Sequence, residues 1–336
     1  MSSTIYHDAD ADLGVLAGET VAVVGYGNQG RSQALNLRDS GVSVVIGNIR
    51  DYAHEAALAD GFRVLPIAEA CAEASCAMLL IPDEVMPEVY TGKVAPQLSP
   101  GDLVSFASGY NVAFGLIEPA ARLDVVLVAP RMIGVGVRDA YVAGTGYPAF
   151  VGVHQDATGN ARARMLALCK AVGATRGGCI EMPMADEAAL DLFTEQGFGP
   201  AWGRVMMSAV ELLVEAGFPP EAVLMELYLS GELAYSLEKI REVGMTRQMD
   251  FHSRTSQYGS ITRGARYLSL DAPLKEKMGE VLGEIRSGAF AKEWSEQQEQ
   301  ANEIFEKIRA IREQMPFTKW ETAARRAFRI GDAGKG

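Results

Sequence analysis

Over its first half the chain alternates between short unbroken apolar runs and longer stretches where apolar residues return every three or four positions. Thr20-Val-Ala-Val-Val-Gly25 is a β-branched run closed by glycine, the pattern of a parallel strand buried on both faces. A helical pattern follows from Arg31 to Asp39, and a second strand reads from Val42 to Gly47. Further strand runs are Cys76–Ile81, Leu103–Phe106, Val125–Ala129 and Phe150–Val153, the last of which should close the sheet. From Asp186 onward strand patterns stop. Helical periodicity runs from about Asp186 to Glu215, restarts at Pro219-Pro220 and ends in a charged tail from Trp294 to Arg329. The predicted class is α/β: a Rossmann-type parallel-sheet domain over residues 1–183, then an all-helical domain over residues 184–330. The helices carry more apolar residues than one buried face requires. They are expected to bury them against the sheet domain, a second subunit, or both.

Composition narrows the classes. At 336 residues, 48% hydrophobic and 22% charged, the chain has room for two ordinary globular domains. A formal charge of −12 with no basic stripe argues against a nucleic-acid partner. Cys71, Cys76, Cys169 and Cys179 form no CxxC pair, which suggests reduced thiols and a cytoplasmic setting. No apolar run approaches the ~18 residues of a membrane span, and the N-terminal residues lack a signal-peptide pattern.

Two stretches carry candidate chemistry. Gly25-Tyr26-Gly27-Asn28-Gln29-Gly30 is GxGxxG in the setting it needs, with a strand before and a helix after. There Gly25 permits the turn, Gly27 lets backbone approach a pyrophosphate, and Gly30 lets helix pack on strand. The second strand ends in Gly47-Asn48-Ile49-Arg50-Asp51. Arg50 suits the 2′-phosphate of NADPH; Asp51 would repel that phosphate and suits a free ribose, so NADH remains open beside NADPH. Ligands in such sheets bind beyond the carboxyl ends of the strands, which makes candidates of Pro82-Asp83-Glu84, Ser108–Asn111 and Pro130–Gly134.

The other stretch is Asp191-Leu-Phe-Thr-Glu195-Gln196. Four residues apart, Asp191 and Glu195 share a helix face. No Lys occurs from 171 to 238, and apolar residues dominate downstream. A hard divalent ion such as Mg2+ would relieve their repulsion; an exposed acidic helix face is the plainer reading. Glu226 and Glu232 lie six apart on the next predicted helix, which puts them on different faces.

Together these residues resemble the short-chain class of ketol-acid reductoisomerase (acetohydroxyacid isomeroreductase). The resemblance runs through Tyr6, Asp8-Ala-Asp10, Val24-Gly-Tyr-Gly-Asn-Gln-Gly30, Ala34-Leu-Asn-Leu-Arg-Asp-Ser-Gly41, Ile81-Pro-Asp-Glu84 and Val153-His-Gln-Asp156. It continues through Asp191–Gln196, Val214-Glu-Ala-Gly217, Tyr258-Gly259 and Phe290-Ala-Lys-Glu293. It implies a knotted helical domain and a homodimer whose subunits share each active site. It also implies NADPH and Mg2+ as cofactors. The implied reaction is alkyl migration in a 2-hydroxy-3-oxo acid, then reduction to a 2,3-dihydroxy acid in branched-chain amino-acid synthesis. Asp191, Glu195 and Glu226 fall on the family's metal carboxylates, and Ser253 on its substrate-carboxylate serine. Four places depart from the pattern, one being Ile133-Gly134-Val135 where the family has Pro-Gly-His. Ser108 stands for a His, Arg131 for a Lys, and Ser230 for a fourth carboxylate. Ser108 cannot exchange protons near neutral pH as His does, and Arg131 keeps its charge. Three functions therefore stay open at this point. They are the full isomeroreductase, a relative reducing or differently isomerising another small 2-oxo acid or imine, and a non-enzymatic cofactor-binding homologue.

Overall fold

A computed structural model describes residues 3–331. The chain divides into two compact units, Met1–Asp191 and Leu192–Gly336, and the division falls inside a helix.

The first unit is built on one sheet of nine strands. These are β1 (Ile5–Tyr6), β2 (Thr20–Val24), β3 (Ser43–Gly47), β4 (Val64–Leu65), β5 (Cys76–Leu79), β6 (Leu103–Phe106), β7 (Asp124–Pro130), β8 (Ala149–Gln155) and β9 (Cys179–Glu181). Their spatial order is β1-β9-β8-β7-β6-β5-β2-β3-β4. The run from β4 to β7 is parallel throughout, while β7/β8 and β1/β9 are antiparallel. The run Phe150–Val153, expected to close the sheet, lies instead within β8, which β9 and β1 extend further. Those two strands, like β4, are two or three residues long, too short to show a period in sequence. Side chains fasten the short edge: the Tyr6 hydroxyl donates to Glu181 Oε2 at 2.7 Å, and Arg162 pairs with Glu181 at 2.8 Å.

The apolar runs read as strands are buried on both faces. Val21, Val23 and Met78 enter one core layer, Ala22, Val24 and Leu79 the other. Helices α1 (Asn28–Asp39), α2 (Tyr52–Ala59), α3 (Ile67–Ala72), α4 (Met86–Val89), α5 (Tyr110–Ala113), α6 (Gly134–Val142) and α7 (Ala161–Val172) supply their covering. The chain passes from β3 on one side of β2 to β5 on the other, so a crevice opens at the carboxyl end of β2.

α8 (Met184–Phe193) leaves the first unit, and the second unit is entirely helical. It includes α9 (Gly199–Glu215), α10 (Pro220–Leu224), α11 (Glu232–Val243), α12 (Arg254–Gly264), α13 (Asp271–Arg286), α14 (Ala289–Gln297), α15 (Ala301–Gln314) and α16 (Pro316–Ala327). Two π-helical turns interrupt the periodicity, at Thr194–Phe198 and Met225–Leu229. The single helix expected to carry both Glu226 and Glu232 does not exist. Gly231, at φ 86°, breaks the chain direction, and Glu232 starts α11. A small core of Val210, Val223, Leu224 and Ala324 packs with Trp320 and Phe317. Large apolar side chains including Val205, Leu212, Tyr258, Ile261 and Leu268 remain exposed.

Candidate active site

The three glycines of the β2–α1 turn play different structural parts. Gly25 sits at φ 94°, and a Cβ there would lie 2.6 Å from Ile81 and 2.7 Å from the Leu80 carbonyl. A Cβ on Gly30 would lie 2.1 Å from the Gly25 carbonyl, so the helix must meet the strand without one. Gly27 has an ordinary φ of −76°, and a Cβ there would have no neighbour within 4 Å, so it faces open space. Neither the fold nor the backbone demands glycine at 27. The open space over the turn is of the kind a dinucleotide pyrophosphate occupies.

A cavity of about 350 Å³ occupies the crevice, lined by Gly25, Tyr26, Gly27, Asp51 and Pro82 together with Asn48, Ile49, Tyr52, Ile81 and Val85. Tyr26 contributes backbone here, since its ring is buried and its hydroxyl donates to Asp60 at 2.8 Å. Asp51 is the N-cap of α2: its Oδ1 accepts the Ala53 and His54 amides, both at 3.0 Å, and the Asn48 side-chain amide at 2.9 Å. Arg50 lines a neighbouring cavity of about 600 Å³ with His54 and Lys93, sharing Asn48, Ile49 and Ile67 with the first. Lys93 is a basic residue at this cavity that sequence reading had not singled out. Asn28, Gln29, Gly30 and Asp83 do not line the crevice. Asn28 backbone lies under Gly134, and Gln29 bonds the Met132 carbonyl at 2.9 Å. Asp83 accepts the Asn111 side-chain amide at 3.1 Å.

At the carboxyl end of β7 stands a second cluster of the first unit. Arg131 spreads its guanidinium across two carboxylates one turn apart on α8, Glu187 at 2.8 Å and Asp191 at 2.6 Å. The guanidinium also lies 4.8 Å from the Phe150 ring centroid, on the adjacent strand. Glu187 is fully buried, and its second oxygen accepts the Gly109 amide at 2.7 Å. Burial pushes the Glu187 carboxyl up to about 7, against the opposing pull of the Gly109 amide and Arg131. Ser108, next to Gly109, accepts the Tyr110 amide through its hydroxyl at 3.2 Å. Thus Ser108, Arg131 and Asp191 are brought to one sheet edge, tied together by Glu187. Sequence reading missed Glu187. The signal was present, since Glu187 lies four before Asp191 on the same helical period, but its partners lie 56 and 78 residues away in sequence.

In the helical unit, Glu195 and Glu226 each lie in a π turn. Such turns recur at functional sites because they break helical register at one point. Ser230 follows the second turn, its hydroxyl accepting the Glu232 amide at 3.3 Å. Ser253 is the N-cap of α12 and accepts the Ser256 amide at 3.2 Å. An apolar hollow of about 380 Å³ is lined by Phe198, Trp202, Tyr228, Leu233, Ala234 and Leu237. Among the described residues no group of three or more His, Cys, Asp and Glu side chains is gathered in a geometry that would hold a metal ion.

Comparison with known proteins covers both units. A family model described as "Acetohydroxy acid isomeroreductase, NADPH-binding domain" matches residues 15–178, and one described as "Ketol-acid reductoisomerase, C-terminal domain" matches residues 184–329. A protein of Methanopyrus kandleri named "Ketol-acid reductoisomerase (NADP(+))" is 44% identical over 310 residues, 91% of this chain and 92% of its own length. A protein of Pyrobaculum arsenaticum with the same name is 43% identical over 292 residues, 86% of this chain and 88% of its own. A solved structure described as an NADH-preferring ketol-acid reductoisomerase from an uncultured archean superposes with a TM-score of 0.89 at 35% identity, covering 96% of this chain and 98% of that one. None of these favours a different reductase chemistry or a non-enzymatic role.

Proposed function

The chain belongs to the ketol-acid reductoisomerase family, and we propose that it converts a 2-hydroxy-3-oxo acid of the 2-acetolactate type to a 2,3-dihydroxy acid using NADPH and Mg2+. It is an NAD(P)H-dependent oxidoreductase acting on a small acid substrate. The observation that carries the site assignment is the Arg131 fork across Glu187 and Asp191, set at the same sheet edge as a glycine turn with open space over Gly27.

The donor chemistry of the crevice fits a dinucleotide; the carboxylates fit Mg2+ by residue type, although no three of them are gathered among the described residues. Open space over Gly27 and the amide end of α1 suit a pyrophosphate. Arg50 and Lys93, on the cavity beside the crevice, favour a 2′-phosphate and hence NADPH, whereas Asp51 already spends one oxygen capping α2. Asp191, Glu195 and Glu226 offer hard oxygen ligands for Mg2+. Asp191 gives one oxygen to Arg131.

Bound nicotinamide supplies the hydride. Bound Mg2+ supplies Lewis-acid polarisation of the substrate oxygens. The protein's own groups then bind and orient. Ser253 orients the substrate carboxylate. Arg131 fixes the Asp191 carboxylate and stays charged throughout. Glu187, fully buried with its two oxygens on the Gly109 amide and the Arg131 guanidinium, anchors that guanidinium, and Ser108 cannot take over the proton transfer of a histidine.

The exposed apolar side chains of the helical unit fit a homodimer interface, with both subunits completing each site. A cytoplasmic setting fits the unpaired cysteines, all buried and free. Among the described residues no helix is long and apolar enough to cross a membrane. Turnover of 2-acetolactate, set against simple 2-oxo acids with and without Mg2+, tests this reading; brisk use of the simple acids alone would overturn it.

A further inference from the structure

We propose that Gln29, inside the glycine turn, is a positioning residue for the reaction rather than a cofactor ligand. It would tie the dinucleotide turn to the loop that presents Arg131.

The geometry is a ladder of side-chain amides on one face of α1. Gln29, Gln33 and Asn36 follow each other at helical spacing. Gln29 Nε2 donates to the Met132 carbonyl at 2.9 Å, and the buried Gln33 amide donates to Gln29 Oε1 at 3.1 Å. A carbonyl acceptor on one side and an amide donor on the other leave Gln29 a single orientation. Lower on the helix, buried Asn36 donates to the Val137 carbonyl at 3.4 Å and to the Val172 carbonyl at 3.0 Å, while Arg138 donates to Asn36 Oδ1 at 2.8 Å. The ladder therefore grips α6 and the loop before it. Backbone contact completes the grip: a Cβ on Gly134 would lie 2.2 Å from the Asn28 carbonyl, so loop and turn touch there.

Met132 follows Arg131 directly. The Arg131 amide is held from the other side by the Pro148 carbonyl at 2.9 Å. Gln29 thus fixes the far end of a two-residue span whose near end carries the guanidinium on Glu187 and Asp191. Meanwhile both polar atoms of the Gln29 side chain are engaged, Nε2 by the Met132 carbonyl and Oε1 by the Gln33 amide, which commits it to the loop. These bonds join the helix whose amide end suits a pyrophosphate to the loop and helix that follow Arg131. Loss of the Gln29 donor would let the Arg131 loop drift while the glycine turn stays intact.

This rests on the proposed place of Arg131 in the active site, and the test separates the two. Gln29→Met keeps length and removes the donor. We expect its NADPH affinity by calorimetry to stay within about twofold, and kcat with 2-acetolactate to fall by about tenfold to a hundredfold, the cost of a small misplacement. In an Arg131→Ala background the same change should have no further effect, because both act through one group. Amide exchange at Arg131 and Val137, whose N–H groups are held by the Pro148 and Ile133 carbonyls on either side of Met132, should speed up in Gln29→Met whatever the substrate. Cofactor affinity falling in step with kcat, an unchanged kcat, unchanged exchange, or effects that multiply with Arg131→Ala would each overturn the proposal. If Arg131→Ala alone keeps full activity, the active-site reading has failed and this role with it; a damaged Arg131→Ala beside a normal Gln29→Met overturns the role alone.

Discussion

Gly27→Val separates binding from folding at a single position. The wild-type backbone there has φ −76° and ψ −157°, an extended conformation with negative φ, and no atom lies within 4 Å of the new Cβ. Gly27 is the N-cap of α1, a position where glycine is preferred over valine, so the substitution costs about 1 kcal/mol of helix stability. For a unit of this size that lowers Tm by no more than about 4 °C. Two branched methyls would fill the approach to the first α1 amides. A charge-assisted hydrogen bond to a phosphate contributes about 1.5–3 kcal/mol, so losing two weakens cofactor binding by roughly a hundredfold or more. Gly30→Ala is the internal control with the opposite signature: its Cβ meets the Gly25 carbonyl at 2.1 Å, so stability falls first. Calorimetric titration with NADPH, run beside thermal unfolding, reads both. A Gly27→Val protein that melts like wild type and binds NADPH with unchanged affinity would refute the placement of the pyrophosphate over this turn.

Other outcomes follow from the same geometry. Burial raises Glu187 from 4.5 to about 7, so the unfolded chain binds fewer protons than the folded one between those values. Stability should therefore fall as pH rises through that window, by roughly 3 kcal/mol at most, and Glu187→Gln should flatten the slope in denaturant titrations at a series of pH values. Titration with Mg2+ should find one firm site and a second that is weak or absent, because Ser230 adds no charge where a carboxylate would; Ser230→Glu should strengthen it, and two equally tight sites in the unmodified protein would contradict the reading. Light scattering at micromolar concentration should report a dimer, and a monomer there would count against an interface on the helical unit.

The sheet was legible because its central strands are buried on both faces, which leaves continuous runs such as Thr20–Val24 in the sequence. β1, β4 and β9 were not, since two or three residues carry no period and hydrogen-bond partners from afar define them. The glycine turn was legible as a whole but not in its division of labour: only packing distances tell Gly25 and Gly30, which the fold requires, from Gly27, which it does not. Spacing arguments worked while helices were regular. They failed at Glu226 and Glu232, where a π turn and then Gly231 intervene; glycine inside a helical pattern was the available warning. Glu187 escaped because its meaning comes from Gly109 and Arg131, and the fold alone brings them to it.

The most direct measurement is NADPH oxidation with 2-acetolactate as sole substrate, with product identified, in the presence and absence of Mg2+. Mg2+-dependent formation of the 2,3-dihydroxy acid is the predicted result, despite Ser108 and Arg131 standing where the family resemblance places His and Lys. No dihydroxy acid from 2-acetolactate at saturating NADPH and Mg2+, with ready reduction of simple 2-oxo acids, would contradict the account.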